Sequence, residues 1–356
     1  VPDHSEHPPS PPSRAVLPRP TIDDVAAAAG VSRATVSRAL RGGHRVSSRA
    51  MTAIQQAVAR TGYVVNRNAR NLASHRAQSV AFVLCEPPQR LVADPSFNLL
   101  LSTCAQELTA HDLILTVAVT TGPDLRSWVR RHLLGGQVDG ALVVSAHASD
   151  PIADELHGAG VPVVVYGTPF PATDPAPGAD DIPAPVYVAA DDRSGATEAV
   201  RHLLGRGRRT IATIAGPPET ACGLNRLAGW RDAVGETTDD RLIAVGDYTA
   251  AGGQAAMAEL LHRAPELDAV FVAGELMAAG AIAALSRAGR RVPDDVAVAG
   301  FDDSAVAATI WPSLTTVRRP LAEISHRMVE LVLELIDGGS PRSLTLPTEL
   351  VIREST

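Results

Sequence analysis

Between residues 21 and 63 the apolar positions recur at helical spacing in three short runs. Ile22, Val25, Ala26 and Ala29 fall at i, i+3, i+4 and i+7, one buried helical face, and Gly30 ends that run with the residue that best tolerates left-handed backbone. Ser32 then suits the N-cap of a second helix, in which Val36, Ala39 and Leu40 face inward and Arg33, Ala34, Ser37 and Arg38 face outward. A third run starts at Val46-Ser47, carries Met51, Ile54, Ala57 and Val58 on one face, and closes at Gly62-Tyr63. Beyond residue 78 the period changes. Apolar stretches bounded by turn residues appear at 79–85, 113–119, 139–146, 161–167, 210–216, 241–248, 269–274 and 295–301, mostly separated by helical segments, with a last apolar strand at 344–352. This alternation predicts an α/β class with parallel sheets covered on both faces. One sheet of that many strands is uncomfortably wide, so two lobes are expected, with the Pro/Ala/Asp-rich stretch 169–185 near a crossing between them. Pockets of such sheets form beyond the carboxyl ends of the strands, which puts a ligand site in the cleft between the lobes.

Composition divides the chain further. Residues 1–20 contain Pro2, Pro8, Pro9, Pro11, Pro12, Pro18 and Pro20 and too few apolar residues to bury a core, so a disordered tail is expected there. A head at 21–65, a linker helix at 66–78 and a two-lobed core at 79–356 follow. Residues 14–76 hold eleven Arg against only Asp23 and Asp24, a charge of +9, whereas residues 77–356 carry −14. A basic head on an acidic body confines polyanion affinity to one end of the molecule. The outward set on the second helix is the kind that a recognition helix presents to base edges and phosphates.

Several classes are disfavoured. No stretch approaches eighteen consecutive apolar residues, and the first residues lack a charged-then-apolar signal pattern, so no membrane partner and a cytoplasmic location are expected. Cys85, Cys104 and Cys222 have no metal-ligand spacing and suggest no disulfide framework. No nucleophile with its base and no phosphate-cradling loop is visible; Gly205-Arg206-Gly207 lacks the rest of a dinucleotide fingerprint. An enzyme, a metal site and a cofactor are therefore not expected. A plain solute-binding protein explains the body but not the head.

The head resembles that of the lactose-repressor/galactose-repressor family of bacterial transcription regulators. The residues that carry the resemblance are Thr21, Asp24-Val25-Ala26, Ala29-Gly30-Val31-Ser32, Thr35-Val36-Ser37-Arg38 and Leu40, then Val46-Ser47, Gly62-Tyr63, Asn66, Ala69-Arg70 and Leu72. Val65 stands where the family usually has Pro, which leaves the entry to the linker helix less rigidly fixed. The body is similar to the family's ligand-binding core in Arg226-Leu227-Ala228-Gly229-Trp230, in 292–303, in Pro312-Ser313-Leu314-Thr315-Thr316-Val317, and in 346–355.

The resemblance implies a homodimer on near-palindromic double-stranded operator DNA. Thr21, Ser32, Arg33, Ala34, Thr35, Ser37 and Arg38 would contact the major groove and its phosphates. Asn66, Ala69 and Leu72 would enter the minor groove, with Leu72 as the apolar wedge. It also implies a small polyhydroxylated effector, a sugar or a nucleoside-like molecule, held between the lobes by Arg226 and Asp302. A guanidinium opposite a carboxylate suits vicinal hydroxyls, one supplying donors and the other acceptors. Tyr248 sits where the family often stacks an aromatic on the ligand; Cys85, Glu86 and Phe97 would line the opposite lobe, and Arg319 would reach the cleft. Two departures bear on the ligand: Gly274-Glu275 replaces the common S-D or N-D pair, with Glu275 as a further candidate contact, and Asp191-Asp192 replaces D-N. No leucine heptads follow the last strand, so a dimer is expected rather than a tetramer.

Overall fold

Thr21 opens the first helix through a reciprocal pair. Its hydroxyl accepts from the Asp24 amide while the Asp24 carboxylate accepts from the Thr21 amide at 2.7 Å, satisfying two of the otherwise orphaned donors of a helix start. That helix, α1 (Ile22–Ala29), stops at Gly30 with φ 65°. Ser32 accepts from the Thr35 amide at 3.2 Å to start α2 (Arg33–Leu40), and Ser47 accepts from the Ala50 amide at 3.3 Å to start α3 (Ser48–Thr61). Val25, Val36, Ile54 and Ala57 form the buried centre of the three helices. Arg60 donates to the Ala28 carbonyl at 2.7 Å and ties the end of α3 to the last turn of α1.

The computed structural model describes residues 20–40, 46–64, 76–120, 123–145, 147–148, 150–170, 184–235 and 239–356. Most of the Pro-rich tail, Val65, and Asn66, Ala69 and Leu72 of the linker lie outside the described residues. The chain divides between His75 and Arg76 into two units. Residues 76–78, expected at the end of the linker helix, are not helical. They are tied to the body, where the Ala77 amide donates to Asp139 at 2.7 Å and Arg76 pairs with Asp337 at 3.0 Å.

The first lobe of the body contains β1 (Ser79–Leu84), α4 (Pro88–Ala93), α5 (Pro95–Ala110), β2 (Ile114–Val119), α6 (Pro123–His132), β3 (Gly140–Val144), α7 (Ile152–Gly158), β4 (Val163–Tyr166) and β5 (Val186–Ala190). The second contains α8 (Asp192–Gly205), β6 (Ile211–Ala215), α9 (Ala221–Val234), β7 (Ile243–Val245), α10 (Ala250–Arg263), β8 (Ala269–Val272), α11 (Glu275–Arg287), β9 (Ala297–Asp302), α12 (Ala305–Thr309) and β10 (Thr315–Arg318). The chain then returns with α13 (Leu321–Ile336) and β11 (Leu344–Leu346) to the first lobe and ends with β12 (Glu349–Val351) in the second. Strand order is β11-β5-β4-β3-β1-β2 in one sheet and β12-β10-β9-β8-β6-β7 in the other.

The expected parallel sheets are present, with one exception: β12 runs antiparallel to β10. Every residue of β1 and β3 is buried, as strands covered by helices on both faces require. Phe82, Leu142, Leu100 and Met328 pack on one side of the first sheet, and Val83, Val143 and Leu156 on the other. In the second lobe Trp230, Phe271 and Phe301 fill one side, and Met257, Val270 and Leu285 the other.

Two expectations need correction. The stretch 344–352 is not one strand but two of three residues each, in different sheets, because the chain changes lobe at Pro347-Thr348. The first crossing lies not at 169–185 but after β5, since Val186–Ala190 still pairs with β4. β10 was absent from the apolar runs because it begins Thr315-Thr316. Both residues are nonetheless fully buried, their hydroxyls bonded to the Arg353 carbonyl and to Glu275.

Candidate functional site

The carboxyl ends of both sheets face one cavity of about 450 Å³, within the range of small-molecule sites. Its first-lobe wall includes Glu86 after β1, Phe97 on α5, His147 after β3 and Tyr166 at the end of β4. Its second-lobe wall includes Cys222 and Arg226 on α9, Tyr248 after β7 and Asp302 at the end of β9. Arg319, on the return from β10, also lines it.

A buried charge cluster forms the floor. Arg226, 2% exposed, donates from Nε to Asp192 at 2.9 Å and from Nη1 to the Ala273 carbonyl at 2.7 Å, and its plane lies 3.8 Å from the Phe301 ring centroid. Asp302 Oδ1 stands 3.3 Å from Arg226 Nη1 and 2.8 Å from Arg319 Nη2. These are ion-pair distances, yet Oδ1 receives no well-aligned hydrogen bond, and Arg319 Nε is likewise buried and unpartnered. Burial raises the Asp302 pKa, with Arg319 and Arg226 opposing that rise. Burial alone would lower the Arg226 pKa, but Asp192 and Asp302 raise it well above its ordinary value. The floor thus offers fixed donors beside an acceptor with spare capacity, which suits neighbouring hydroxyl groups. Arg319 also reaches the Tyr166 hydroxyl and Ser96 Oγ, the latter at 3.0 Å.

On the first lobe, Glu86 accepts from Ser145 Oγ at 2.7 Å and lies 3.3 Å from His147 Nε2. Burial pushes the Glu86 carboxyl up, but the hydrogen bonds with His147 and Ser145 outweigh it and hold its pKa below the ordinary value. The same hydrogen bond to Glu86 raises His147. Tyr248 closes the opposite wall with its hydroxyl 3.2 Å from Cys222 Sγ and 3.4 Å from Thr220 Oγ1. Gly274 clarifies one sequence departure: a Cβ there would lie 3.1 Å from Tyr248 Cδ1, so the missing side chain makes room for the ring.

Six of the eight candidates for ligand contact therefore surround one cavity: Glu86, Phe97, Arg226, Tyr248, Asp302 and Arg319. Cys85 and Glu275 do not line it. Cys85 is packed against the opposite face of the first sheet, where burial pushes its thiol up to about 12. Glu275 is turned toward Ser304 and Thr316, accepting from the Ser304 amide and hydroxyl and from Thr316 Oγ1 at 3.3 Å. Burial, then the neighbouring Asp302, raises it to about 7. Sequence reasoning missed Arg90, His147 and Tyr166. Their signal was positional, since each follows or ends a predicted strand at its carboxyl end.

In the head, Ser32, Arg33, Ala34 and Arg38 are exposed on α2 and its cap, while Thr35 and Ser37 are half-buried. Arg33 stands 3.6 Å from Asp23, both largely exposed, an arrangement that costs little to break. Thr21 is exposed at the start of α1, its side chain engaged in the cap.

Among the described residues no helix is long and apolar enough to cross a membrane. Comparison with known proteins follows the same division as the structure. Residues 21–66 match the lacI family of bacterial regulatory proteins, and residues 200–356 match a periplasmic binding protein-like domain. The chain is 40% identical to the HTH-type transcriptional regulator CelR of Thermobifida fusca over 95% of its own length and 98% of that protein's. It is 31% identical to the HTH-type transcriptional regulator GalR of Escherichia coli strain K12, over 89% and 90% of the two chains. Among solved structures it is similar to a transcriptional regulator CelR–cellobiose complex (TM-score 0.74, 38% identity, 95% and 100% coverage). It is similar also to the lac repressor dimer bound to operator and the anti-inducer ONPF (TM-score 0.81, 25% identity, 95% and 99% coverage). With a capped three-helix head, a two-lobed core and relatives matched along nearly their whole length, this chain belongs to the lacI family of DNA-binding transcription regulators and is not an enzyme.

Proposed function

We propose that this regulator is a cytoplasmic repressor, dimeric on its operator, whose DNA affinity is set by a neutral polyhydroxylated ligand in the cleft, with a disaccharide as the first candidate. The observation that carries the reading is the shared oxygen of Asp302, close to both Arg226 and Arg319 yet without an aligned hydrogen bond. Around it the guanidiniums already face buried or half-buried carboxylates: Arg226 faces Asp192 and Asp302, Arg319 faces Asp302, and Arg90 faces Asp94. A phosphate or carboxylate on the ligand would meet that carboxylate-rich wall, whereas hydroxyls can both donate and accept within it. The CelR–cellobiose complex supports a sugar with two rings, and the cavity volume accommodates one.

In this reading Arg33 and Ala34 face base edges in the major groove, with Thr21, Ser32, Thr35, Ser37 and Arg38 around them. Asn66, Ala69 and Leu72 act in the minor groove. A dimer is supported by the lac repressor dimer on operator and by exposed apolar side chains of the first lobe, Ile114 and Val117 on the edge strand β2 and Trp128 on α6. Ligand coupling of about 1–3 kcal/mol gives a 5- to 150-fold change in operator affinity.

The test is a thermal-shift series on the full chain with cellobiose, maltose, glucose and glucose 6-phosphate, followed by operator gel shifts with any sugar that binds. A ligand at a hundred times its Kd stabilises by about 2.7 kcal/mol. Stabilisation by a neutral sugar that also changes operator affinity supports the reading; stabilisation by the phosphorylated sugar alone overturns it.

A further inference from the structure

Tyr248 occupies a backbone conformation that aromatic residues rarely take. Its φ is +61°, in the left-handed region where a bulky side chain is strained, and in this conformation its ring walls the cavity. The residues beside it fix the turn. The Asp247 carboxylate accepts from the Thr249 amide at 2.9 Å and from its hydroxyl at 2.7 Å, and Thr249 in turn caps α10 by accepting from the Gly252 amide. Gly216 and Gly274 clear the space: a Cβ at Gly216 would strike the phenol hydroxyl, and one at Gly274 would crowd the ring edge.

The remaining support comes from the other lobe. Arg90, on α4, donates from Nη1 to the Asp247 carbonyl at 3.0 Å. Its guanidinium stands 5.1 Å from the Tyr248 ring centroid and 5.8 Å from that of Phe97, with Asp94 at 3.6 Å from Nη2. Asp94 and Phe97 belong to the first lobe; Asp247 and Tyr248 belong to the second. A planar guanidinium faces two rings and bonds a carbonyl at once, which the compact ammonium of Lys does not.

We propose that Arg90 is a positioning residue that carries lobe closure into the ligand wall, bridging to the Asp247 carbonyl and holding Tyr248 in its strained conformation. When the lobes part, the bridge breaks and Tyr248 relaxes; when they close, the ring is presented at the cavity. Ligand contact with the ring and lobe closure thereby favour one another, the differential interaction that a population shift requires.

Hydrogen exchange on the full chain without ligand tests this in the parent, Arg90→Ala and Arg90→Lys. The peptide spanning 246–253 is expected to exchange roughly fivefold faster in both variants while peptides from β8 and β9 keep the parent's rates, because the opening is local. Unchanged exchange at 246–253 in Arg90→Lys overturns the proposal; if Arg90→Ala loosens the whole chain, Arg90→Lys decides by the same criterion. Calorimetry with cellobiose adds a second readout, an expected tenfold or greater rise in Kd for Arg90→Lys, and an unchanged Kd also counts against the proposal. Only that readout rests on the disaccharide reading: if the parent does not bind cellobiose, that reading fails and exchange alone decides the role of Arg90.

Discussion

Asp192, at the first position of α8, meets Arg226, in the second turn of α9, at 2.9 Å with both side chains almost wholly buried. The guanidinium is therefore a structural strut and a cavity wall at once. Removing one member of a buried pair leaves the other charge uncompensated, at about 3–5 kcal/mol.

Arg226→Ala is accordingly expected to lose the ligand response and to melt several degrees lower as well. Asp192→Asn keeps the shape of the contact and is expected to retain more stability while weakening ligand binding. Melting curves and ligand titrations on both variants check this; an Arg226→Ala protein as stable as the parent contradicts the strut.

The raised pKa of Glu275 makes part of the stability pH-dependent. Its folded value is about 7 against an ordinary 4.5, so between these values the folded state holds a proton that the unfolded chain has released. Stability from this group is present at low pH and falls as pH rises from about 4.5 to 7, with a slope of at most about 1.4 kcal/mol per pH unit. Glu275→Gln is expected to remove that slope. The melting-temperature advantage of the parent over Glu275→Gln should shrink between pH 5 and 8, and a constant difference refutes the assignment.

Gly216→Ala places a methyl against the Tyr248 hydroxyl. Overpacking of this kind costs about 1–3 kcal/mol, and the ring is expected to move rather than the backbone of β6. Ligand affinity should fall tenfold or more with operator binding in the absence of ligand preserved. Calorimetry and gel shifts on one preparation measure both.

For the head, Arg33→Ala is expected to weaken operator binding by about 1–3 kcal/mol and to relax preference at one base pair of each half-site. Selection of operator sequences from a random pool reads this directly. An unchanged sequence preference removes Arg33 from base reading.

Much of this was legible in the chain. The head was written in local signals, caps at Thr21, Ser32 and Ser47 and glycines at 30 and 62, which need no distant partner to act. The central strands were equally plain because their burial on both faces demands unbroken apolar runs. Partnerships between residues far apart in the sequence were not. Nothing local distinguishes Arg90 from a solvated arginine until α4 is set against the Asp247 turn, and Glu275 read as a ligand contact until its longer side chain was seen to reach Ser304 and Thr316. Thr315 and Thr316 hid a buried strand for the same reason: their polarity is cancelled by residues about forty positions away.

The return of α13 and β11 to the first lobe after all of the second lobe except β12 has been traced has a consequence for how the protein is made. Met328, Val329 and Val332 of α13 pack in one cluster with Leu142, Val164 and Val188 of β3, β4 and β5, so the first lobe emerging from the ribosome has an uncovered flank until residues 321–346 arrive. The first sheet is closed by sequence that is synthesised after nearly all of the second lobe. Long-range closure of this kind slows folding, and it exposes a half-built sheet to aggregation in any chain halted before residues 321–346.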